Sequence, residues 1–117
     1  MTTERITELV EEFAGAADEH FEAVEALNEE QANRQAERLT WLFKDIILQG
    51  EEGREALLAL VDSKNRAVAG MAAVYSLRYS PARCMALLKQ LASQPGLLGF
   101  RAEAALQRWA EGDWQLE

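Results

Sequence analysis

Apolar residues recur along this chain at spacings of three and four, the period of a helix with one buried face. Ile6, Leu9, Val10, Phe13, Ala17, Phe21, Val24 and Leu27 make one such stripe, which predicts a first helix over about 3–27. Glu8, Glu11, Glu12, Asp18, Glu19, Glu22 and Glu25 fill its other faces. Gly15 interrupts the pattern as a weak helix former or a point of close packing. Asn28 is the expected break.

A second helix is predicted over about 30–49, with Ala32, Ala36, Leu39, Leu42, Phe43, Ile46 and Ile47 inward and Trp41 beside that face. Gly50 is its natural stop, because glycine takes the left-handed conformation cheaply. A third helix covers about 53–61, and Asp62-Ser63-Lys64-Asn65 reads as a tight turn. The fourth runs over about 66–78. Ser80-Pro81 reads as a cap and first-turn proline for the fifth, which Pro95-Gly96 ends. The sixth covers about 98–111 through Ala102, Ala105, Leu106 and Trp109, with Trp114 and Leu116 expected to fold back as a tail. No segment alternates with period two, so no strand is expected.

A weak internal repeat organises the second half. Gly70, Ala73 and Leu77 align with Gly99, Ala102 and Leu106 at an offset of 29. Leu58, Val61 and Ser63 align with Leu88, Leu91 and Ser93 at an offset of 30. Each unit is helix, turn, helix. A short amphipathic hairpin cannot bury its apolar face alone, so stacked copies complete one core. The expected fold is therefore all-α: a single domain over 1–117 made as a short HEAT-like stack of about three antiparallel helical hairpins, an α-α superhelix.

Leu57-Leu58-Ala59-Leu60-Val61-Asp62, Val68, Ala72-Ala73 and Leu77 together resemble a HEAT-type repeat. The period of about 30 is nearer the short HEAT-like repeats of phycobilin lyase type than the usual length of roughly 40 or more. The arginine that often follows the valine in such repeats is Ala69 here, so the resemblance does not extend to an internal polar ladder. The whole chain is also similar to an uncharacterised bacterial family, domain of unknown function twenty-nineteen. The carriers are Leu9-Val10, Phe13, Asn33-Arg34, Leu39, Gly53, Ala56-Leu57-Leu58 and Ala72-Ala73. Further along they are Pro81, Leu91-Ala92, Gly96-Leu97-Leu98-Gly99-Phe100, Glu103, Leu106, Trp109 and Gly112. The resemblance implies a helical, HEAT-like fold and brings no activity or catalytic residue with it.

Composition supports a packed domain: 117 residues, 49% hydrophobic and 27% charged. No stretch approaches the roughly 20 apolar residues that span a bilayer, and no apolar signal core follows the N-terminus. One cysteine, Cys84, fits a reducing compartment, and a cytoplasmic location is expected. The net charge of −8 is uneven: residues 1–62 carry −11 and residues 63–117 carry +3. The acidic half repels phosphate and anionic lipid, so neither nucleic acid nor membrane is an expected partner. It attracts a basic protein surface or a cationic ligand, while acidic helices also serve simply to keep a domain soluble.

Catalytic groups are not expected. His20 is alone, and a metal site draws on several convergent ligands; on an acidic helix it reads as a surface residue. Cys84 lacks a neighbouring base and reads as packing. The paired carboxylates Glu8 with Glu11 or Glu12, and Glu22 with Glu25, oppose the apolar stripe and read as a solvated face. Gly96-Leu97-Leu98-Gly99 reads as a packed turn rather than a phosphate cradle. The expected function is a non-enzymatic protein-interaction module of the immunity or inhibitor type that binds a basic partner. Glu11, Asp18, Glu22, Glu25, Asn33, Arg34 and Trp114 are the candidate partner-binding residues. No catalytic, cofactor or metal residue is expected. The alternative is a small-molecule or cofactor-binding accessory protein, with Asn33, Arg34, Arg38, Glu103 and Arg101 as pocket candidates. Homodimerisation would be a further use of surplus apolar surface.

Overall fold

The computed structural model describes residues 2–112, and within them the chain forms six α-helices and one 3-10 turn, with no strand. They are α1 (Thr2–Glu25), α2 (Glu29–Leu48), α3 (Glu51–Ala59) followed by the 3-10 turn (Leu60–Asp62), α4 (Arg66–Ser76), α5 (Pro81–Ala92) and α6 (Gly96–Ala110). Short connections pair them in chain order: α1 with α2, α3 and its 3-10 turn with α4, α5 with α6. α1 also packs on α3 and α4, and α4 on α5, so the three pairs share one core. The repeat aligned by sequence falls on the second and third pairs. Val61 and Leu91 are both buried, and Ser63 and Ser93 both follow a helical end.

Local chemistry sets the boundaries. Asn28 caps α2 by accepting from the Gln31 backbone N–H at 3.1 Å, and Asn65 caps α4 by accepting from Ala67 and Val68. Asp18 on α1 accepts from the Asn65 side chain at 2.9 Å, which ties the first pair to the start of the fourth helix. Pro81 opens α5, as expected, but Ser80 makes no side-chain capping bond. The first helix ends earlier than its apolar stripe suggests. Leu27 sits at φ 59 and is 90% exposed, not in the core. Its N–H donates to Val24 O and that of Asn28 to Ala23 O, the paired bonds of a left-handed helix end. Leucine takes this conformation at some cost, which the two closing hydrogen bonds offset.

Two glycine pairs build the tight junctions. Gly50 and Gly96 have φ 78 and 80 and begin α3 and α6. Three residues later, Gly53 and Gly99 sit against backbone carbonyls: a Cβ on Gly53 would collide with Ile46 O, and one on Gly99 with Gln94 O. Gly15, by contrast, is exposed with open space where its Cβ would be, so it is not a close-packing point.

The core centres on aromatic contacts between pairs. The Phe13 ring meets Tyr75 edge-on at 5.4 Å, and Phe43 meets the same tyrosine at 4.9 Å. Leu39, Ile46, Leu57, Leu77, Leu88 and Leu91 complete it. Ala69, Ala72 and Ala73 are fully buried, and their small side chains let neighbouring helices close on α4. Burial pushes the Tyr75 phenol above its ordinary range, with the Thr40 hydroxyl opposing the rise. Ala32 and Ala36 are only half-buried, because the inward face of α2 is centred on Gln35, Leu39, Leu42 and Ile46. Trp114 and Leu116 lie outside the described residues.

Candidate functional site

Two surfaces carry chemistry. The first is the outer face of the α1–α2 pair. On α1 the core residues Leu9, Phe13, Ala16, Ala17 and His20 occupy one side. At 100° per residue, Glu11, Asp18, Glu22 and Glu25 fall together on the opposite side. Glu11, Glu22 and Glu25 are exposed, and Asp18 is half-buried through its bond to Asn65. On α2 the outward positions include Glu30, Asn33, Glu37, Trp41, Lys44 and Leu48. Trp41 is 69% exposed and Leu48 79% exposed. Trp41 therefore stands off the core face rather than beside it, with the Lys44 ammonium 5.6 Å from its ring centroid.

Asn33 and Arg34 are exposed on the same helix. Arg34 is occupied locally: it donates to Gln31 Oε1 at 2.7 Å and pairs with Glu30 at 3.9 Å. Across the seam, Arg5 approaches Asp45 at 3.8 Å and Arg38 approaches Glu12 at 4.0 Å. Such exposed pairs contribute little to stability and serve to align the two helices. The structure thus gathers Glu11, Asp18, Glu22 and Glu25 on α1 and Asn33 and Arg34 on α2, while Trp114 falls outside the described residues. The missed residues are Trp41 and Leu48. Their spacing of seven, on the side away from Leu39, Leu42 and Ile46, was the available signal.

The second surface is a groove. α1 and α6 both pack on α4 yet touch each other little, and a space of about 390 Å³ opens between them. α1 contributes Ala17, His20 and Phe21, and α4 contributes Gly70, Met71 and Val74. Leu88 and Leu91 of α5 and Leu98, Arg101, Ala105 and Arg108 of α6 also line it. Of the expected pocket residues, only Arg101 lies here. Asn33, Arg34 and Arg38 belong to α2, and Glu103 is exposed on α6 away from the lining.

His20 is the main correction to the sequence reading. It is 9% exposed rather than on the surface, and its Nδ1 has no hydrogen-bond partner. Burial lowers its pKa, and the Arg101 charge lowers it further. Desolvation also lowers Arg101, though a guanidinium stays charged at any ordinary pH. The consequence for stability has a definite sign. The folded chain resists a proton at His20 that the unfolded chain accepts below about pH 6.5. The stabilisation is complete above that pH and is lost as pH falls, at no more than about 1.4 kcal/mol per pH unit for one proton. Urea melts at pH 7.5 and 5.5 are expected to show this loss in the wild type and a smaller one in His20→Gln. Equal pH responses in the two would contradict the buried, neutral imidazole.

Cys84 is fully buried on α5, and burial pushes its thiol up to about 11 against the opposing charge of Arg83. It packs in the core, as its sequence context indicates, and a thiol held protonated is a poor nucleophile. Among the described residues, no group of three or more His, Cys, Asp or Glu is placed to hold a metal, and no helix is long and apolar enough to cross a membrane.

Neither a family model nor a curated protein matches the chain. Among solved structures, the protein RPA1889 from Rhodopseudomonas palustris CGA009 superposes with a TM-score of 0.84. The match covers 94% of this chain and 92% of that one at 22% sequence identity. That likeness establishes the all-α fold as one shared with a natural protein of nearly the same extent.

Proposed function

We propose that this protein is a non-enzymatic binding module that recognises a basic protein through the outer face of its α1–α2 pair. The observation that carries the reading is the acidic stripe Glu11, Asp18, Glu22 and Glu25, together with the exposed anchors Trp41 and Leu48 on the neighbouring helix. A uniformly solvated face has no need of an exposed tryptophan. An interface combines an aromatic anchor with a complementary charged surround. The acidic field steers a cationic partner, and Trp41 supplies the contact area that holds it. An immunity- or inhibitor-type protein that masks a basic partner is the concrete form. We read the fold as a short HEAT-like stack related to the uncharacterised family named above, acting in the cytoplasm, where the single unpaired Cys84 fits a reducing environment.

The test is capture from the host lysate at low and high salt, with two variants run beside the wild type. One is the charge reversal Glu11→Lys/Glu22→Lys/Glu25→Lys, and the other is Trp41→Ala. The reading expects a stoichiometric basic protein that is held at low salt, released at high salt, lost with the reversal and weakened at least tenfold by Trp41→Ala. Retention indifferent to both variants, or no stoichiometric protein at either salt, would refute it.

A further inference from the structure

The groove between α1 and α6 is lined by apolar side chains, yet it also holds a buried imidazole and a guanidinium. His20 is more than nine-tenths buried, lines the groove and leaves Nδ1 without a partner. Buried polar atoms in native proteins are almost always paired, by protein, water or ligand. The ring that carries this closed-off nitrogen borders an open space of about 390 Å³, so a ligand seated there lies against the imidazole. Arg101 lines the same space within electrostatic reach of His20. Arg101 is an exposed residue at the mouth of the groove, and its cation beside a neutral imidazole and an apolar lining favours an anion, which a guanidinium can hold through two parallel N–H bonds.

We propose that this groove binds a small monocarboxylate with an aliphatic or aromatic body, its carboxylate held by Arg101 and His20 and its apolar part lying against Phe21, Met71, Leu91 and Leu98. The volume lies at the lower end for small-ligand sites, which limits the body to a short chain or a single ring. The chain's net charge of −8 disfavours a polyanion, and the apolar lining gives a purely hydrophilic acid nothing to bury against. With its proton on the nitrogen that faces the ligand, the imidazole donates one hydrogen bond to the carboxylate, which as an anion only accepts. This site is separate from the outer face of α1 and α2. It uses the side of α1 that looks toward α6, so both can be occupied at once.

The test uses octanoate as the probe, with octanol and octylammonium as controls of the same length, followed by titration calorimetry and by NMR of the His20 imidazole. Octanoate is expected to bind one to one and at least tenfold more tightly than octanol, with octylammonium not binding. Lengthening the chain from hexanoate to octanoate is expected to raise affinity by up to roughly fourfold per methylene. The imidazole resonances of His20 are expected to move on adding octanoate. Arg101→Gln is expected to cost octanoate at least tenfold and leave octanol unchanged, while Arg101→Lys keeps most of the affinity. Equal binding of octanoate and octanol would reduce the groove to an apolar hole. Unmoved His20 resonances at saturation, or no octanoate binding at millimolar concentration, would overturn the site altogether.

Discussion

Gly99→Ala is expected to destabilise the protein by about 3 kcal/mol or more, lowering the melting temperature by roughly 10 °C or more. Alanine is ordinarily the better helix former, so propensity alone predicts a gain of about 1 kcal/mol. Packing reverses the sign. A Cβ at this position would overlap the Gln94 carbonyl oxygen, lie 2.9 Å from the Gln94 carbonyl carbon and 3.3 Å from Ala92 O. That carbonyl cannot step aside easily. Gln94 N–H is bonded to Leu91 O at 2.9 Å, Pro95 fixes the next φ at −74, and Gly96 follows at φ 80. The strain would spread to the start of α6, which carries Leu98 and Arg101. Gly15→Ala is the matched control, because its Cβ enters open space in the middle of α1, and it is expected to gain about 1 kcal/mol. Urea melts of both variants, with the slope held constant, decide the matter. A loss below about 1 kcal/mol for Gly99→Ala would mean that the α5–α6 junction is free to open.

Phe13→Ala is expected to cost about 3–5 kcal/mol, the range for deleting a fully buried aromatic side chain. Phe13 has no exposed surface and stands where the first pair of helices meets α4. Its removal takes away the edge-on contact with Tyr75 and leaves a cavity between rings that also hold Phe43 in place. Collapse into that cavity is resisted from both sides, since Ala16, Ala72 and Ala73 are small and already buried. A double-mutant cycle with Tyr75→Leu is expected to return about 0.5–1.5 kcal/mol of coupling for the ring pair. A single-mutant cost under about 2 kcal/mol, read from far-ultraviolet melts, would show that the helix pairs repack against one another.

The folding and binding expectations draw on different parts of the sequence, and these were legible to different degrees. The six helices could be read from the apolar period and the punctuation of Asn28, Gly50, Asn65, Pro81 and Gly96. The reason is physical: helix ends are set by residues within a turn of the boundary, so their chemistry is local. The end of α1 escaped because Leu27 extends the apolar stripe by spacing while its backbone has already turned left-handed. The role of Gly53 and Gly99 escaped as well, since what excludes a Cβ is a carbonyl five or seven residues back along the chain, across a junction.

The candidate sites divide in the same way. The acidic stripe on α1 was visible because residues of one sign at one helical phase share a face whatever they pack against. His20 lies seven residues after Phe13, in phase with the core, and that spacing indicated burial more truly than the acidic neighbours that suggested a surface position. Arg101 and Arg108, in phase with Leu98, Ala102 and Ala105, mark cations set within an apolar stripe. Neither signal says that α1 and α6 stand on either side of α4 with a gap between them. Local periodicity determined the helices, their inward faces and the charge they display. The packing of non-adjacent helices alone decided that His20 Nδ1 is left without a partner and that a groove joins His20 to Arg101, because these depend on which faces meet across the whole chain.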